Sequence, residues 1–250
     1  MNEKTKVLLV GETWNTYTMH FKGFDMIASG AYEDFAVWFK ESLSRKDDIE
    51  ITHISNQTAM ADFPKTLEAL NRYDVVIISD CGKNNLLLYP DMFKVPMGPN
   101  RLELIKKYVA KGNSFIMVGG WNSYQGMMGI AGYHSTPIED ILPVKIQPYD
   151  DRVEKPEGVI PVILKKEHPI LSSLPEEWPM FLGYNRVIQK EGSELLATIG
   201  GEPFITIWNY EKGKTLSFTS DLAKHWGSGF IEWKAYGDFW YNVLKWLKKS

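Results

Sequence analysis

Three short apolar runs without polar alternation punctuate the first half of the chain: residues 6–11 (Lys-Val-Leu-Leu-Val-Gly), 74–79 (Asp-Val-Val-Ile-Ile-Ser) and 114–118 (Ser-Phe-Ile-Met-Val). Runs of this length, flanked by turn residues, predict strands buried on both faces of a sheet. Residues 49–54 predict another strand. Between the strands, Phe35, Ala36, Phe39 and Leu43 mark one stripe of a helix over 31–43. Residues 64–70 predict a short helix with proline in its first turn, and 99–111 a helix that stops at Gly112. Residues 21–29 read as an irregular loop. This alternation of strands and helices predicts an α/β fold with a flavodoxin-like, doubly wound, mainly parallel sheet.

The pattern changes after residue 137. Residues 137–152 combine charge with several prolines and predict a bent connection. Extra β elements follow in the C-terminal half, near 159–164, 180–183, 194–199 and 204–208. A hairpin turn at 212–214 then leads into a strand over 216–219. Trp233, Tyr236, Trp240, Val243, Leu244 and Leu247 recur at helical spacing and predict a closing helix packed on the sheet. With no internal repeat and no linker, a single domain over 1–250 is expected.

Composition narrows the function classes. At 44% hydrophobic and 24% charged, the chain has an ordinary globular balance. Its formal net charge of −3 argues against a nucleic-acid footprint. No apolar run suits a signal peptide or a membrane span, so a cytoplasmic protein without membrane contact is expected. A single cysteine excludes an intramolecular disulfide and fits a reducing compartment.

In a sheet of this kind ligands bind beyond the carboxyl ends of the strands. The residues there are Glu12 and Trp14, Asp80 and Asn84, Gly119, Gly120, Trp121 and Gln125, and Asp221 with His225 and Trp226. His134 follows on the loop leaving the fourth strand. Asp80, His134, Asp221 and His225 are the acid/base candidates, and the others are ligand-binding candidates. Each has a plainer reading: the aspartates as caps of the helices or loops after their strands, His134 as a loop histidine bonded to backbone. No HExxH and no paired cysteine motif is present, so no metal is expected. Without a phosphate loop or a dinucleotide fingerprint, no cofactor is expected either. No Gly-x-Ser-x-Gly elbow occurs.

Several segments carry a family resemblance: 79–88 (Ser-Asp-Cys-Gly-Lys-Asn-Asn-Leu-Leu-Leu), 119–126 (Gly-Gly-Trp-Asn-Ser-Tyr-Gln-Gly) and 133–144 (Tyr-His-Ser-Thr-Pro-Ile-Glu-Asp-Ile-Leu-Pro-Val). To these add 148–154, Leu-Gly-Tyr-Asn at 182–185, and Phe-Thr-Ser-Asp-Leu-Ala-Lys-His-Trp at 218–226. Together they resemble the class I glutamine amidotransferase-like superfamily, in its putative glutamine amidotransferase branch related to the trehalose-utilisation (ThuA-like) proteins. The resemblance implies a flavodoxin-like sheet. In the true amidotransferases a cysteine on an elbow after the fourth strand works with a histidine and a glutamate near the last strand. The matching positions here read Gly119-Gly120-Trp121 and Thr219-Ser220-Asp221, so the resemblance implies a scaffold without its Cys-His-Glu glutaminase triad. Cys81 ends the third strand; it reads as a small buried thiol, with a displaced nucleophile paired to His134 or His225 as the alternative.

Trp14, Trp121 and Trp226 beside Asp, Asn and Gln suit a ring that stacks while its hydroxyls bond. The expected function is binding or hydrolysis of a small polar, carbohydrate-related metabolite at the strand ends. The alternative is a non-catalytic binding or assembly protein on the same scaffold. A homo-oligomer is expected if the aromatic closing helix and the 21–26 loop lie outside the core.

Overall fold

The structure, a computed structural model, describes residues 4–248. The chain opens with β1 (Thr5–Gly11), then β2 (Thr13–Lys22), β3 (Asp25–Asp34), α1 (Val37–Leu43) and β4 (Ile49–Ile54). Next come α2 (Asn56–Asp62), α3 (Leu67–Leu70), β5 (Val75–Ser79), α4 (Asn84–Leu87), α5 (Arg101–Ala110) and β6 (Ser114–Val118). A 3-10 turn at Met127–Gly129 precedes α6 (Pro137–Ile141), β7 (Val144–Ile146), β8 (Arg152–Val159) and β9 (Val162–Ile163). The last part holds β10 (Phe181–Asn185), β11 (Val187–Gln189), β12 (Glu194–Ile199), β13 (Glu202–Tyr210), β14 (Gly213–Phe218), α7 (Ser228–Ile231) and α8 (Tyr236–Leu247).

Eight strands form one sheet in the order β4-β1-β5-β6-β14-β13-β12-β9. The first five are mutually parallel, and β13, β12 and β9 continue the sheet in antiparallel pairings beyond β14. The unbroken apolar runs have a direct cause. Val7 and Leu9 of β1 join one core, with Val75 and Ile77 of β5 and Ile116 and Val118 of β6. Leu8, Val10, Val76, Ile78, Phe115 and Met117 enter the core on the opposite face. Helices α1 and α8 close the first core, and α2 to α6 close the second. With both faces covered, an unpaired polar side chain in the middle of these strands would be buried at a cost.

Several readings change. Residues 137–152, expected as a bent connection, hold α6 and β7. Residues 21–29 are not a loop but the end of a hairpin: β2 and β3 pair over ten residues, from Thr13↔Asp34 to Lys22↔Asp25. The period-2 alternation of Tyr17, Met19 and Phe21 with Thr16, Thr18, His20 and Lys22 carries that strand signal. Its pairing through Tyr32 and Glu33 removes the front half of the helix expected over 31–43, which starts at Val37. The closing helix packs on the sheet as expected, with Tyr236, Phe239, Trp240, Val243, Leu244 and Leu247 buried, so it offers no outside face for the expected homo-oligomer. No described helix is long and apolar enough to cross a membrane.

Candidate functional site

At the carboxyl ends of the parallel strands the backbone leaves its usual region. Glu12 follows β1 at φ +54°, Asp80 follows β5 at φ +45°, and His225 lies beyond β14 at φ +85°. Non-glycine residues held there are strained, and such strain gathers at functional sites. The turn at Glu12 and Asp80 points both carboxylates inward. Asp80 settles against the turn after β6, where its Oδ1 accepts the Asn122 amide at 2.6 Å. Gly120, at φ +146°, makes this approach possible, since a Cβ there would stand 2.7 Å from Asp80 Oδ1. The Asp80 amide donates to Ser123 Oγ, and its carbonyl accepts Asn56 Nδ2 at 3.0 Å.

Glu12, Asp80 and Asp221 form one buried acidic group. Burial pushes the Asp80 carboxyl up to about 6, against the pull of the Asn122 amide. Asp221 is held well above the carboxylate range by burial and then by the Asp80 charge. Glu12 is raised in the same way by burial, then by Asp221 and Asp80, although Ser79 Oγ donates to its Oε1. Burial is the main cause for all three, and the Asp80 charge adds to it for Asp221 and Glu12. Among the described residues no group of three or more His, Cys, Asp or Glu is arranged to hold a metal ion.

Asp80 opens onto a cleft of about 390 Å³. Its wall carries Trp14 and Trp121, whose rings meet edge to face at 6.2 Å. Carboxamides supply most of the polar lining: Asn15, Asn56, Gln57, Asn85 and Asn122. Thr13 ties several of them together, donating to Gln57 Oε1 at 2.7 Å while it accepts the Asn56 amide at 2.8 Å. Met127 and Ile130 form an apolar rim. Behind the indole wall, the Glu154 carboxylate accepts Trp121 Nε1 on one oxygen and Trp226 Nε1 on the other, both at 2.9 Å. That bridge fixes the plane of Trp121.

The sequence-predicted residues divide into those at the cleft and those apart from it. Asp80, Trp14 and Trp121 line it, with Glu12 and Asp221 buried and electrostatically joined to Asp80. His225 stands beside the Trp121 ring at 4.5 Å, with Nε2 4.0 Å from Glu154; burial lowers its proton affinity. Trp226 is fully buried beneath Gly183 and does not line the cleft. His134 lies apart, with Nδ1 2.9 Å from the Ile146 carbonyl and 3.5 Å from Glu139. Gln125 is engaged there too, its Oε1 accepting the His134 amide. Asn84 is exposed on α4, and its neighbour Asn85 faces the cleft instead.

Gly119 and Gly120, expected to offer amides to a ligand, have theirs engaged by Phe218 O and Asn185 Oδ1. Asn185 in turn bonds Asp151, which holds the amides of Gln125 and Gly126 and is itself pushed up to about 6 by burial. The Cys81 thiol is buried and pushed up to about 12, which removes the thiolate a nucleophile needs.

A family model described as putative glutamine amidotransferase matches residues 6–249. Two solved cytoplasmic proteins from Salmonella typhimurium, the second from strain LT2, are 38% and 40% identical to this chain. They superpose with TM-scores of 0.92 and 0.93, each match covering 98% of this chain and 99% or 100% of the other. A putative ThuA-like protein from Bacteroides uniformis shares the fold at a TM-score of 0.57 and 14% identity, over 99% of this chain and 93% of its own. No curated protein matches the chain.

Proposed function

We propose that this chain, which belongs to the putative glutamine amidotransferase family, is a cytoplasmic protein that takes a small, uncharged, hydroxyl-rich ligand of the carbohydrate class in the Asp80 cleft. The carrying observation is the composition of the wall: five carboxamides, two indoles and one carboxylate, with no lysine, arginine or histidine among its described lining residues. Carboxamides both donate and accept, so they match hydroxyls, and indole faces take the apolar side of a sugar ring. An anionic ligand would find no cation there. The cytoplasmic placement is supported by the two Salmonella proteins described in that way.

Asp80 is the group that would move a proton on the bound ligand, because it alone of the three acids lines the cleft and its proton affinity is near neutrality. Glycoside hydrolysis by paired carboxylates needs two such groups facing the substrate, so a single-carboxylate proton transfer suits this wall better. The glutaminase triad is absent on this reading, and Cys81 takes no part. A second reading, binding without catalysis, is favoured by the engaged amides of Gly119 and Gly120, which leave no oxyanion hole at that turn.

A thermal-shift screen tests the ligand class. Neutral mono- and disaccharides should raise the melting temperature, while their phosphorylated counterparts should not. Trp121→Ala should weaken a hit by about tenfold or more, the worth of a lost stacking face. Asp80→Asn should bind within a few-fold and stop any turnover. Preference for phosphorylated sugars would overturn the ligand class, and ammonia release from glutamine would overturn the loss of glutaminase chemistry.

A further inference from the structure

We infer that the β2–β3 hairpin is a self-association arm whose one apolar face packs against the same face of a second copy of this chain. The pairing register sorts its side chains without ambiguity, because directly opposed residues share a face. One face carries Tyr17 opposite Gly30, Met19 opposite Ala28, and Phe21 opposite Met26, with Tyr32 nearer the base. The other is mixed and carries all the charges of the outer ribbon: Trp14 with Glu33, Thr16 with Ala31, Thr18 with Ser29, His20 with Ile27, and Lys22 with Asp25. The apolar face is not turned toward the body of the protein: Tyr17 is 79% exposed and Phe21 70%, and Phe24 at the tip is fully exposed.

An isolated two-stranded ribbon is marginal in water, and one whose outer part carries an exposed apolar face calls for a cover. The Tyr17 ring lies over Gly30, filling the gap that a glycine leaves in the ribbon surface and completing a continuous face. Tyr17, Met19, Phe21, Phe24, Met26 and Tyr32 together offer on the order of 800 Å² per copy, the area each partner contributes to a standard stable interface.

Three observations favour a second copy as the cover. Outward from the Asn15–Tyr32 pair the face holds no charged residue, and Asp34 at its base is paired with Lys40, so like meets like without repulsion, as a two-fold contact requires. The charges sit on the opposite face and stay in water when two ribbons stack as a small sandwich. That opposite face balances His20 and Lys22 against Asp25 and Glu33, so it lacks the basic excess that would draw the arm to an anionic lipid surface.

Light scattering and sedimentation of the full chain test this at tens of micromolar. The expected mass is twice 28.7 kDa or a higher even multiple. The pair Tyr17→Glu with Phe21→Glu should bring it to 28.7 kDa with an unchanged far-UV spectrum. The control pair Thr16→Glu with Thr18→Glu, on the polar face, should leave the assembly intact. If the charged pair disturbs folding, hydrogen exchange on the unaltered protein decides, and ribbon amides should exchange more slowly as concentration rises. A monomeric wild type, an assembly that survives the charged pair, or concentration-independent exchange overturns the inference. Flotation of a monomeric wild type with anionic vesicles would overturn it too, and would place lipid on the face.

Discussion

Asp80 is the one member of the buried acidic group that lines the cleft, and its proton affinity has a consequence for stability. A carboxyl whose folded pKa is raised binds its proton more tightly in the folded state. Its contribution is then complete below its usual 3.8 and lost as the pH rises through about 6. The interval is worth about 3 kcal/mol for a fully buried group. Asp80→Asn keeps an oxygen for the Asn122 amide and removes the titration. The variant should therefore exceed the wild type in stability at pH 8 by up to that amount, with the gap closing toward pH 4. Urea denaturation across this range measures it, and parallel curves would show that Asp80 is not the titrating group. The partner position responds in the opposite sense. Gly120→Ala combines a forbidden φ of +146° with a clash on Asp80 Oδ1, and should cost at least about 2 kcal/mol at every pH.

At the scale of elements, the parallel half was legible because each strand is covered on both faces and writes itself as an unbroken apolar run. Residues 194–199 were placed to the residue as β12. The hairpin was missed because its alternating stripe faces no part of the same chain, so the apolar positions looked like a loop with scattered hydrophobics. The acids and indoles of the site were legible from strand ends alone. Asn56 and Gln57 were not, although they follow β4 directly and the same strand-end rule reaches them. Asn85 was missed by one residue, since a four-residue helix gives no periodic signal to say which of two asparagines faces inward.

Arg101 shows what sequence patterning hides most completely. It reads as a surface charge at the start of α5, yet it is buried. Its guanidinium donates to the carbonyls of Leu86, Leu88, Met60 and Ala59 and lies 4.1 Å from the Tyr89 ring. It thereby satisfies the carbonyl ends of α4 and the middle of α2, the helix that presents Asn56 and Gln57. Arg101→Met leaves these acceptors unpaired and should cost about 2–4 kcal/mol in denaturant unfolding. Arg101→Lys should recover little, because an ammonium cannot reach four carbonyls from one plane.

For the molecule as a whole, the antiparallel strands decide whether the chain is one unit or two. The sequence changes character after residue 137, which would suit a second domain. Yet β13 pairs β14, and β14 pairs β6 in parallel, so both halves share one sheet. The core on one face runs without a break from Val7 and Leu9 through Val118 and Phe218 to Ile205, Ile207 and Leu196, with α8 laid across the junction. Phe218, Trp240 and Phe239 meet there within 5.0 to 5.7 Å of one another. Neither half can open without exposing the other's apolar surface, so unfolding should be a single transition. Tryptophan fluorescence and far-UV circular dichroism, followed through urea at one protein concentration, should give coincident midpoints. Trp240→Phe should lower both midpoints together, because the residue belongs to neither half alone. Two separated midpoints, or a shift in only one probe, would mean that the sheet joins two cooperative units rather than building one.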